Sequence, residues 1–250
     1  MAIALVTGGS RGLGKSMCLH LAKKGHDVVL TYLSKQAEAL DVVAQIQSLG
    51  QKAVALPLDV SKSAGFAAFA GQFRDTLQTT WGRNDFNFLV NNAGIGVQAP
   101  FMETSEEQFD LLVNIHLKSA FFLSQTLLPL LCDGGRIVNI SSGLTRFSMP
   151  GFSAYATVKG ALEVLTRYMA KELGPRKITV NILAPGAIET DFGGGVVRDN
   201  ADANAFIASQ TALGRAGLPD DIGAALTILL SDEAGWITGQ RIEVSGGMYL

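Results

Sequence analysis

The chain has 250 residues, of which 48% are hydrophobic and 17% are charged, and its formal net charge is −2. This is the composition of an ordinary globular protein with a large buried core, such as a sheet covered on both faces. The lack of net positive charge argues against a nucleic-acid-binding protein, because phosphate contacts need an excess of Lys and Arg.

The first residues could be mistaken for a secretion signal. They form a short apolar run that lacks a positively charged start and ends in Gly8-Gly9, so we interpret them as a buried first strand. No apolar run reaches the roughly 18 residues that span a bilayer. Cys18 and Cys132 lie far apart in patterns interpreted as helical, and we expect buried free thiols rather than a metal site. These features predict a cytoplasmic protein with no membrane, nucleic-acid or metal partner.

Short apolar runs alternate with amphipathic stretches along the chain. Strands are predicted at about 2–7, 27–32, 52–58, 86–90, 134–141, 177–183 and 240–244. Helices are predicted near 12–24, 35–49, 61–81, 105–132, 152–174 and 219–231. This alternation predicts a doubly wound α/β fold, with a parallel sheet and helices on both faces, in a single domain over 1–250.

The region 184–215 interrupts the alternation. It contains Pro185-Gly186, three consecutive glycines from Gly193 and several polar residues. A long loop inside a compact domain is usually functional or mobile. Two interpretations stay open: a substrate lid at about 187–215, or a disordered surface loop.

A glycine-rich turn follows the first predicted strand and opens the first predicted helix. Glycine permits tight turns with positive φ, and a helix start offers backbone N–H groups to an anion. This position is the usual dinucleotide-binding turn of a doubly wound sheet, although the glycine spacing differs from Gly-x-Gly-x-x-Gly. The candidate cofactor-binding residues of this turn are Gly8, Ser10, Arg11, Gly12, Leu13 and Gly14.

The end of the second predicted strand indicates which dinucleotide binds. NAD sites usually place an acidic residue there, whereas this strand ends in Tyr32, followed by Leu33 and Ser34. Arg11 lies in the glycine-rich turn, and a guanidinium beside Ser34 suits a 2′-phosphate. We therefore predict NADP(H) rather than NAD(H).

Polar side chains with acid–base potential follow two other predicted strands. Tyr155 and Lys159 are four residues apart on a predicted helix and share one face. A free tyrosine titrates near pH ~10, and a nearby cation is expected to lower its pKa. The strand ending at Ile140 leads into Ser141-Ser142, where a hydroxyl can bond a substrate oxygen. His20, His26 and His116 lie in no hydrolase-like elbow.

Together these motifs resemble the short-chain dehydrogenase/reductase family in its compact single-domain form, and the resemblance covers essentially the whole chain. The matching motifs are Thr-Gly-x-x-x-Gly-x-Gly at 7–14, Asn-Asn-Ala-Gly at 91–94, Ser142, Tyr-x-x-x-Lys at 155–159, and Pro185-Gly186 followed by Thr190. Within the family the chain is similar to 3-oxoacyl-[acyl-carrier-protein] reductases.

The resemblance implies a strand order of 3-2-1-4-5-6-7 and a homotetramer, or a homodimer, formed through the helices near 105–132 and 152–174 and the C-terminal strand. It implies that Ser142, Tyr155 and Lys159 are catalytic and that Asn114 orders a water chain to Lys159. The further cofactor-binding residues it implies are Asp59 and Val60 at the adenine, and Asn91, Ala93, Gly94, Pro185, Gly186, Ile188 and Thr190.

The predicted function is reduction of a small-molecule ketone to a secondary alcohol by NADPH. The expected pocket is mostly apolar and includes Ile95, Val97, Leu144, Phe147, Met149, Phe152, Phe192 and Val197. Arg146 nearby is interpreted as a solvated loop residue. An acyl thioester on a carrier protein stays open as a substrate, although 130–135 lacks the usual basic residues. The alternatives are an NAD-dependent alcohol dehydrogenase and a non-catalytic NADP-binding regulator.

Overall fold

The computed structural model describes residues 1–250 and contains a seven-stranded sheet in the order β3-β2-β1-β4-β5-β6-β7, as predicted. The strands are β1 (Ile3–Val6), β2 (Asp27–Tyr32), β3 (Ala53–Pro57), β4 (Phe86–Asn91), β5 (Leu131–Ile140), β6 (Thr179–Pro185) and β7 (Arg241–Val244). All neighbouring strands are parallel. Their carboxyl ends therefore meet at one edge of the sheet, where open α/β sheets bind ligands.

Nine α-helices cover the sheet and its edges. They are α1 (Gly12–Lys23), α2 (Gln36–Ser48), α3 (Phe66–Trp81), α4 (Glu106–Leu112), α5 (Ser119–Leu127), α6 (Ser153–Leu173), α7 (Val196–Asp199), α8 (Ala201–Ser209) and α9 (Pro219–Leu229). Two large apolar clusters form the core: one packs β1 and β2 against α1, α2 and α9, and the other packs β1, β4 and β5 against α3 and α5. None of the helices is both long and apolar enough to cross a membrane.

The helix predicted at 105–132 is wrong in two respects. It contains a π-helical segment, Val113–Lys118, between α4 and α5, in which the Ser119 N–H donates to the Asn114 carbonyl. It also ends at Leu127, because the Arg176 guanidinium binds the carbonyls of Leu128 and Leu131 as the chain turns into β5. Cys132 consequently lies half-buried on a strand rather than in a helix, whereas Cys18 is buried in α1 as expected.

The region 187–215 is ordered by its own helices, α7 and α8, and by two isolated strand bridges. Ile188 bridges to Gly217, and Thr211 bridges to Met248 near the C-terminus. Gly193, the first of three consecutive glycines with positive φ, turns the chain before α7. The disordered-loop interpretation is therefore wrong.

Candidate active site

The glycine-rich turn after β1 is fixed from the opposite side by the turn after β4. The Asn92 side-chain amide donates to the carbonyls of Thr7 (2.8 Å) and Gly8 (3.2 Å). A methyl group on Gly14 would lie 2.1 Å from the Gly8 carbonyl oxygen, and one on Gly8 would lie 2.9 Å from the Ala93 Cα. The two turns can therefore touch only because both positions are glycine.

The start of α1 fits an anion. Arg11 is its N-cap residue, no side chain caps the helix, and no acidic residue lies in its first turn. The first-turn N–H groups, from Gly12 to Gly14, have no partner within the helix and present positive charge. Gly12 lies against Thr190, whose side chain would be 3.7 Å from an added methyl group. Predicted residues of two distant segments thus meet at one place that suits a pyrophosphate.

Arg11 contacts a residue that the sequence did not suggest. Its guanidinium lies 3.6 Å from the carboxylate of Asp191, which also pairs with Arg198 of α7. The Arg11 side chain is 58% exposed, so it is free to contact a ligand at the mouth of the cleft. Ser34 is exposed, and its neighbour Lys35 pairs with Glu38 at 3.7 Å. No carboxylate ends β2, and Tyr32 is its last residue.

Three other predicted cofactor residues have structural roles. The Asn91 amide donates to Ser124 of α5 (3.0 Å) and to Asn139 of the neighbouring strand β5 (2.9 Å). The Asp59 carboxylate caps the turn at Ser61, whose hydroxyl donates to it at 2.6 Å, while Val60 next to it is half-buried. Gly186, after Pro185 at the end of β6, lies against Ser245, whose Cα would be 2.9 Å from an added methyl group.

Tyr155 and Lys159 lie in the first two turns of α6 and are almost fully buried, with 7% and 4% exposure. The Lys159 ammonium donates to the carbonyl of Ile140, the last residue of β5, at 2.7 Å. It lies 5.6 Å from the centre of the Tyr155 ring. Ser142 is the second residue after β5, and its hydroxyl accepts from the Leu144 N–H at 3.2 Å. The structure therefore brings the three predicted catalytic residues together at the carboxyl edge.

The electrostatics of this group differ from the sequence-based expectation. Burial raises the pKa of Tyr155, and hydrogen bonding with Ser142 opposes that rise. Burial also lowers the pKa of Lys159 to about 7, because a charged amine is costly away from water. The predicted lowering of the Tyr155 pKa by Lys159 is therefore wrong for these residues alone. The phenol stays protonated at neutral pH, which is the form that can donate a proton.

His116 is a site residue that sequence reasoning missed. It is buried in the π-helical segment, its Nε2 lies 2.8 Å from the Ile95 carbonyl, and its ring meets the Tyr155 ring edge-on at 5.3 Å. Burial and the charge of Lys159 lower its pKa, so the ring is neutral. A methyl group on Gly94 would lie 2.6 Å from this ring. The only sequence signal was its position two residues after Asn114, which lies in the same segment, packed against α6.

A mostly apolar cavity of about 590 Å³ opens at the start of α6, where Ser153 and Ala156, on either side of Tyr155 in the sequence, contribute to its lining. Its lining includes Leu144, Met149 and Phe152, as predicted, together with Phe101. Ile95 and Val97 pack around Tyr155 itself, and the Phe192 ring lies 5.8 Å from the Tyr155 ring.

Two predicted pocket residues, Phe147 and Val197, do not line the cavity, and Arg146 has a partner that the sequence did not suggest. The Phe147 ring lies 4.7 Å from the Tyr249 ring, at an interplanar angle of 54°, and Val197 packs against the same satellite cluster. Arg146 is exposed, as expected of a loop residue, and it also forms a two-pronged pair with Glu243, at 2.8 and 2.9 Å. Tyr249, near the C-terminus, contacts both Phe147 and Arg146.

Comparison with known proteins agrees with this geometry. Residues 8–249 match the family model described as enoyl-(acyl carrier protein) reductase. The tetrahydroxynaphthalene reductase PfmaG of Pestalotiopsis fici is 36% identical over 256 residues, covering 98% of this chain and 90% of that protein.

Two solved structures are similar throughout. The promiscuous reductase LugOII, which catalyses keto-reduction at C1 during lugdunomycin biosynthesis, is 37% identical, with a TM-score of 0.95 and coverage of 100% of this chain and 98% of its own. The angucycline C-6 ketoreductase LanV with bound NADP is 32% identical, with a TM-score of 0.94 and coverage of 99% and 95%.

The chain belongs to the short-chain dehydrogenase/reductase family. The predicted enzyme class, an oxidoreductase of carbonyl and alcohol groups, is thereby confirmed. The NADP bound to LanV agrees with the predicted cofactor.

Proposed function

We propose that this chain is an NADPH-dependent ketoreductase that reduces a ketone of a hydroxylated fused-ring aromatic substrate to a secondary alcohol. The observation that carries the proposal is the group formed by half-buried Ser142 and buried Tyr155 and Lys159, close to a mostly apolar cavity whose lining includes Phe101 and Phe152. Aromatic walls suit a flat aromatic substrate. The name of the relative PfmaG, a tetrahydroxynaphthalene reductase, supports the same substrate class.

The residues that hold NADPH are assigned by their positions. The first turn of α1 receives the pyrophosphate, and Arg11 with Ser34 contacts the 2′-phosphate. Ile188 and Thr190 contact the nicotinamide end, and Asp59 lies on the adenine side. The bound cofactor supplies the hydride, and the protein supplies orientation and proton transfer.

The proton reaches the substrate from Tyr155. The hydroxyls of Ser142 and Tyr155 donate hydrogen bonds to the substrate carbonyl oxygen, and Tyr155 gives its proton as negative charge develops there. Because the pKa of the buried phenol is raised, Tyr155 stays protonated until negative charge develops on the substrate oxygen. Lys159, with a pKa of about 7, can return a proton to the phenolate at neutral pH. Asn114 links Lys159 to solvent through the water chain that the family resemblance implies.

Two features of the surroundings complete the proposal. The segment 187–215 is a substrate lid, with Phe192 over Tyr155 and Asp191 against Arg11. The chain forms a homotetramer in the cytoplasm: α5 exposes 44% of Phe121 and 40% of Phe122, and α6 exposes 65% of Tyr168, on the helices expected at the interface. Light scattering of the purified protein tests the oligomeric state.

A second candidate substrate is a 3-oxoacyl thioester, which the matching family model favours through its acyl-carrier description. The proposed function is tested by following NADPH oxidation with aromatic ketones, quinones, keto sugars and a 3-oxoacyl thioester, with NADH in parallel. We expect the aromatic ketones to react fastest and NADPH to be preferred. Exclusive turnover of the thioester favours the second candidate, and equal rates with NADH contradict the cofactor assignment. NADPH binding without turnover of any ketone contradicts the reductase.

A further inference from the structure

Four charged side chains form a continuous chain beneath the loop that carries Ser142. Glu163 of α6 accepts from Arg241 of β7 at 2.8 Å, and Arg241 also donates to Glu243 at 2.9 Å. Glu243 in turn holds Arg146 through two hydrogen bonds. The Glu163 side chain is 15% exposed and that of Arg241 is 24% exposed, so the pair lies largely away from water.

Glu163 and Arg241 form hydrogen bonds directly with the loop that carries Ser142. One carboxylate oxygen of Glu163 accepts from the hydroxyls of Ser141 and Thr145, each at 2.7 Å. The Arg241 guanidinium donates to the Ser142 carbonyl at 3.3 Å and to the Thr145 hydroxyl at 3.1 Å. Residues on both sides of Ser142 are therefore hydrogen-bonded to two side chains that do not themselves reach the substrate.

The carboxylate of Glu243 stays charged over the working pH range. Although burial acts to raise it, hydrogen bonds from Arg146 and Arg241 hold the pKa of Glu243 at about 2. Two carboxylates and two guanidiniums balance each other, which offsets the cost of partial burial. Arg146 extends the network to the carbonyls of Met248 and Tyr249 at the C-terminus.

We propose that Glu163 and Arg241 are positioning residues that fix the Ser142 hydroxyl for the substrate carbonyl. The inference rests on the proposed function, because it concerns the residue assigned to bind that carbonyl. Its physical basis is that catalysis depends steeply on placement: a misplacement of about 1 Å can cost on the order of 100-fold in rate. The Ser142 loop is short, and the Glu163–Arg241 pair makes four of its side-chain hydrogen bonds.

The chain offers a matched control at the other edge of the sheet. Arg176 donates to the Asp133 carboxylate at 2.7 Å and to the Leu128 carbonyl at 2.9 Å, so it also joins an ion pair to backbone carbonyls. Arg176→Gln and Arg241→Gln therefore remove similar interactions, but only the second contacts the Ser142 loop.

The experiment compares wild type with Arg241→Gln, Arg241→Lys, Glu163→Ala and Arg176→Gln, using the best ketone of the panel. For Arg241→Gln we expect kcat to fall on the order of 10- to 100-fold, with NADPH affinity unchanged by fluorescence titration. Arg241→Lys keeps one ion pair and is expected to recover part of the loss. Arg176→Gln is expected to lower Tm without lowering kcat.

A second readout reports on the Ser142–Tyr155 contact itself. In the alcohol-oxidation direction the reaction needs the Tyr155 phenolate, so the rate rises with pH through the Tyr155 pKa. The Ser142 hydrogen bond opposes the rise in that pKa, so a displaced Ser142 lets the pKa increase. The pH profile of Arg241→Gln should therefore shift toward higher pH, whereas that of Arg176→Gln should not.

The possible failures are distinguishable. An active wild type with wild-type kcat and pH profile in Arg241→Gln overturns the positioning role alone. If Arg241→Gln does not fold, Glu163→Ala, which removes the oxygen that accepts from Ser141 and Thr145, must show the kcat loss and the pH shift. A wild type that reduces no ketone overturns the proposed function, and this inference with it.

Discussion

The turns at the two edges of the sheet both contain glycines, but the glycines have different surroundings. At the amino edge, Gly50 and Gly82 have φ of 85° and 65°, and nothing lies within 4 Å of an added methyl group. At the carboxyl edge, a methyl group on Gly94 would lie 2.6 Å from His116, and one on Gly186 would lie 2.9 Å from Ser245. The glycines at the amino edge let the backbone turn with positive φ. Those at the carboxyl edge leave room for a neighbouring loop to pack closely.

The ionisable groups at the two edges also differ, in their burial and in their pKa values. The carboxyl edge buries Tyr155, Lys159 and His116, each with a shifted pKa. The amino edge carries partly exposed ion pairs such as Arg176 with Asp133. Shifted pKa values gathered in a cleft are the usual mark of an active site. Paired substitutions at the two edges therefore test whether chemistry is confined to one of them.

The largest expected difference is between two tyrosines of α6. Tyr155→Phe should lower kcat by ~10²–10⁴-fold, the usual contribution of a general acid, while NADPH affinity is retained. Tyr168, which is 65% exposed and lies further along the helix toward the amino edge, is the control. Steady-state kinetics and cofactor titration of both variants give the answer, and similar kcat values for the two would remove Tyr155 from the mechanism.

The second comparison uses the glycines. Gly94→Ala should lower kcat/KM on the order of 100-fold, because the displaced His116 ring contacts both Tyr155 and Ile95. Gly82→Ala places a side chain at positive φ and should cost roughly 1–2 kcal/mol of unfolding free energy with kcat unchanged. Denaturant unfolding and kinetics on both proteins separate the two effects. Full activity in Gly94→Ala would show that the contact with His116 is not needed.

The third comparison concerns cofactor choice at the mouth of the cleft. Arg11→Ala should raise the KM for NADPH roughly 10-fold and leave that for NADH unchanged, since a hydrogen bond to a charged group contributes about 1.5–3 kcal/mol. Arg198→Ala also removes a partner of Asp191 but lies on the lid, so it should leave the NADPH-to-NADH preference intact. An equal loss of preference in both variants would assign the effect to Asp191 rather than to the 2′-phosphate.

The sequence alone predicted that the site motifs gather at the carboxyl edge of the sheet. The motifs around Gly14, Tyr155 and Pro185 follow predicted strands, and the parallel topology alone places them at one edge. The strand order came from the family resemblance and is confirmed by the structure.

What the sequence did not show depends on contacts between distant segments. The end of α5 depends on Arg176, some 50 residues away, and the π-helical segment depends on packing against α6. The position of the Arg146 side chain depends on its ion pair with Glu243. The pKa of Tyr155 depends on how deeply the residue is buried, which the hydrophobic periodicity of the sequence does not give.

The smallest expected effect compares two histidines, one at each edge. Burial lowers the pKa of both His116 and half-buried His26, which lies just before β2 with its ring edge-on to Phe88. A histidine whose folded-state pKa lies below its unfolded value of 6.5 favours the neutral form in the folded state. As the pH falls below that value, the unfolded chain binds more protons, so the free energy of unfolding falls.

Between pH 6.5 and about pH 5 few carboxylates titrate, and the histidines dominate the change in stability. We expect the unfolding free energy of wild type to fall over this range, and His116→Gln to remove more of that pH dependence than His26→Gln, because His116 is the more deeply buried. Urea unfolding at several pH values measures the slope for each protein. If His116→Gln keeps the wild-type slope, the neutral buried imidazole beside Tyr155 is not the group that titrates, and the electrostatic contrast between the two edges is smaller than the geometry indicates.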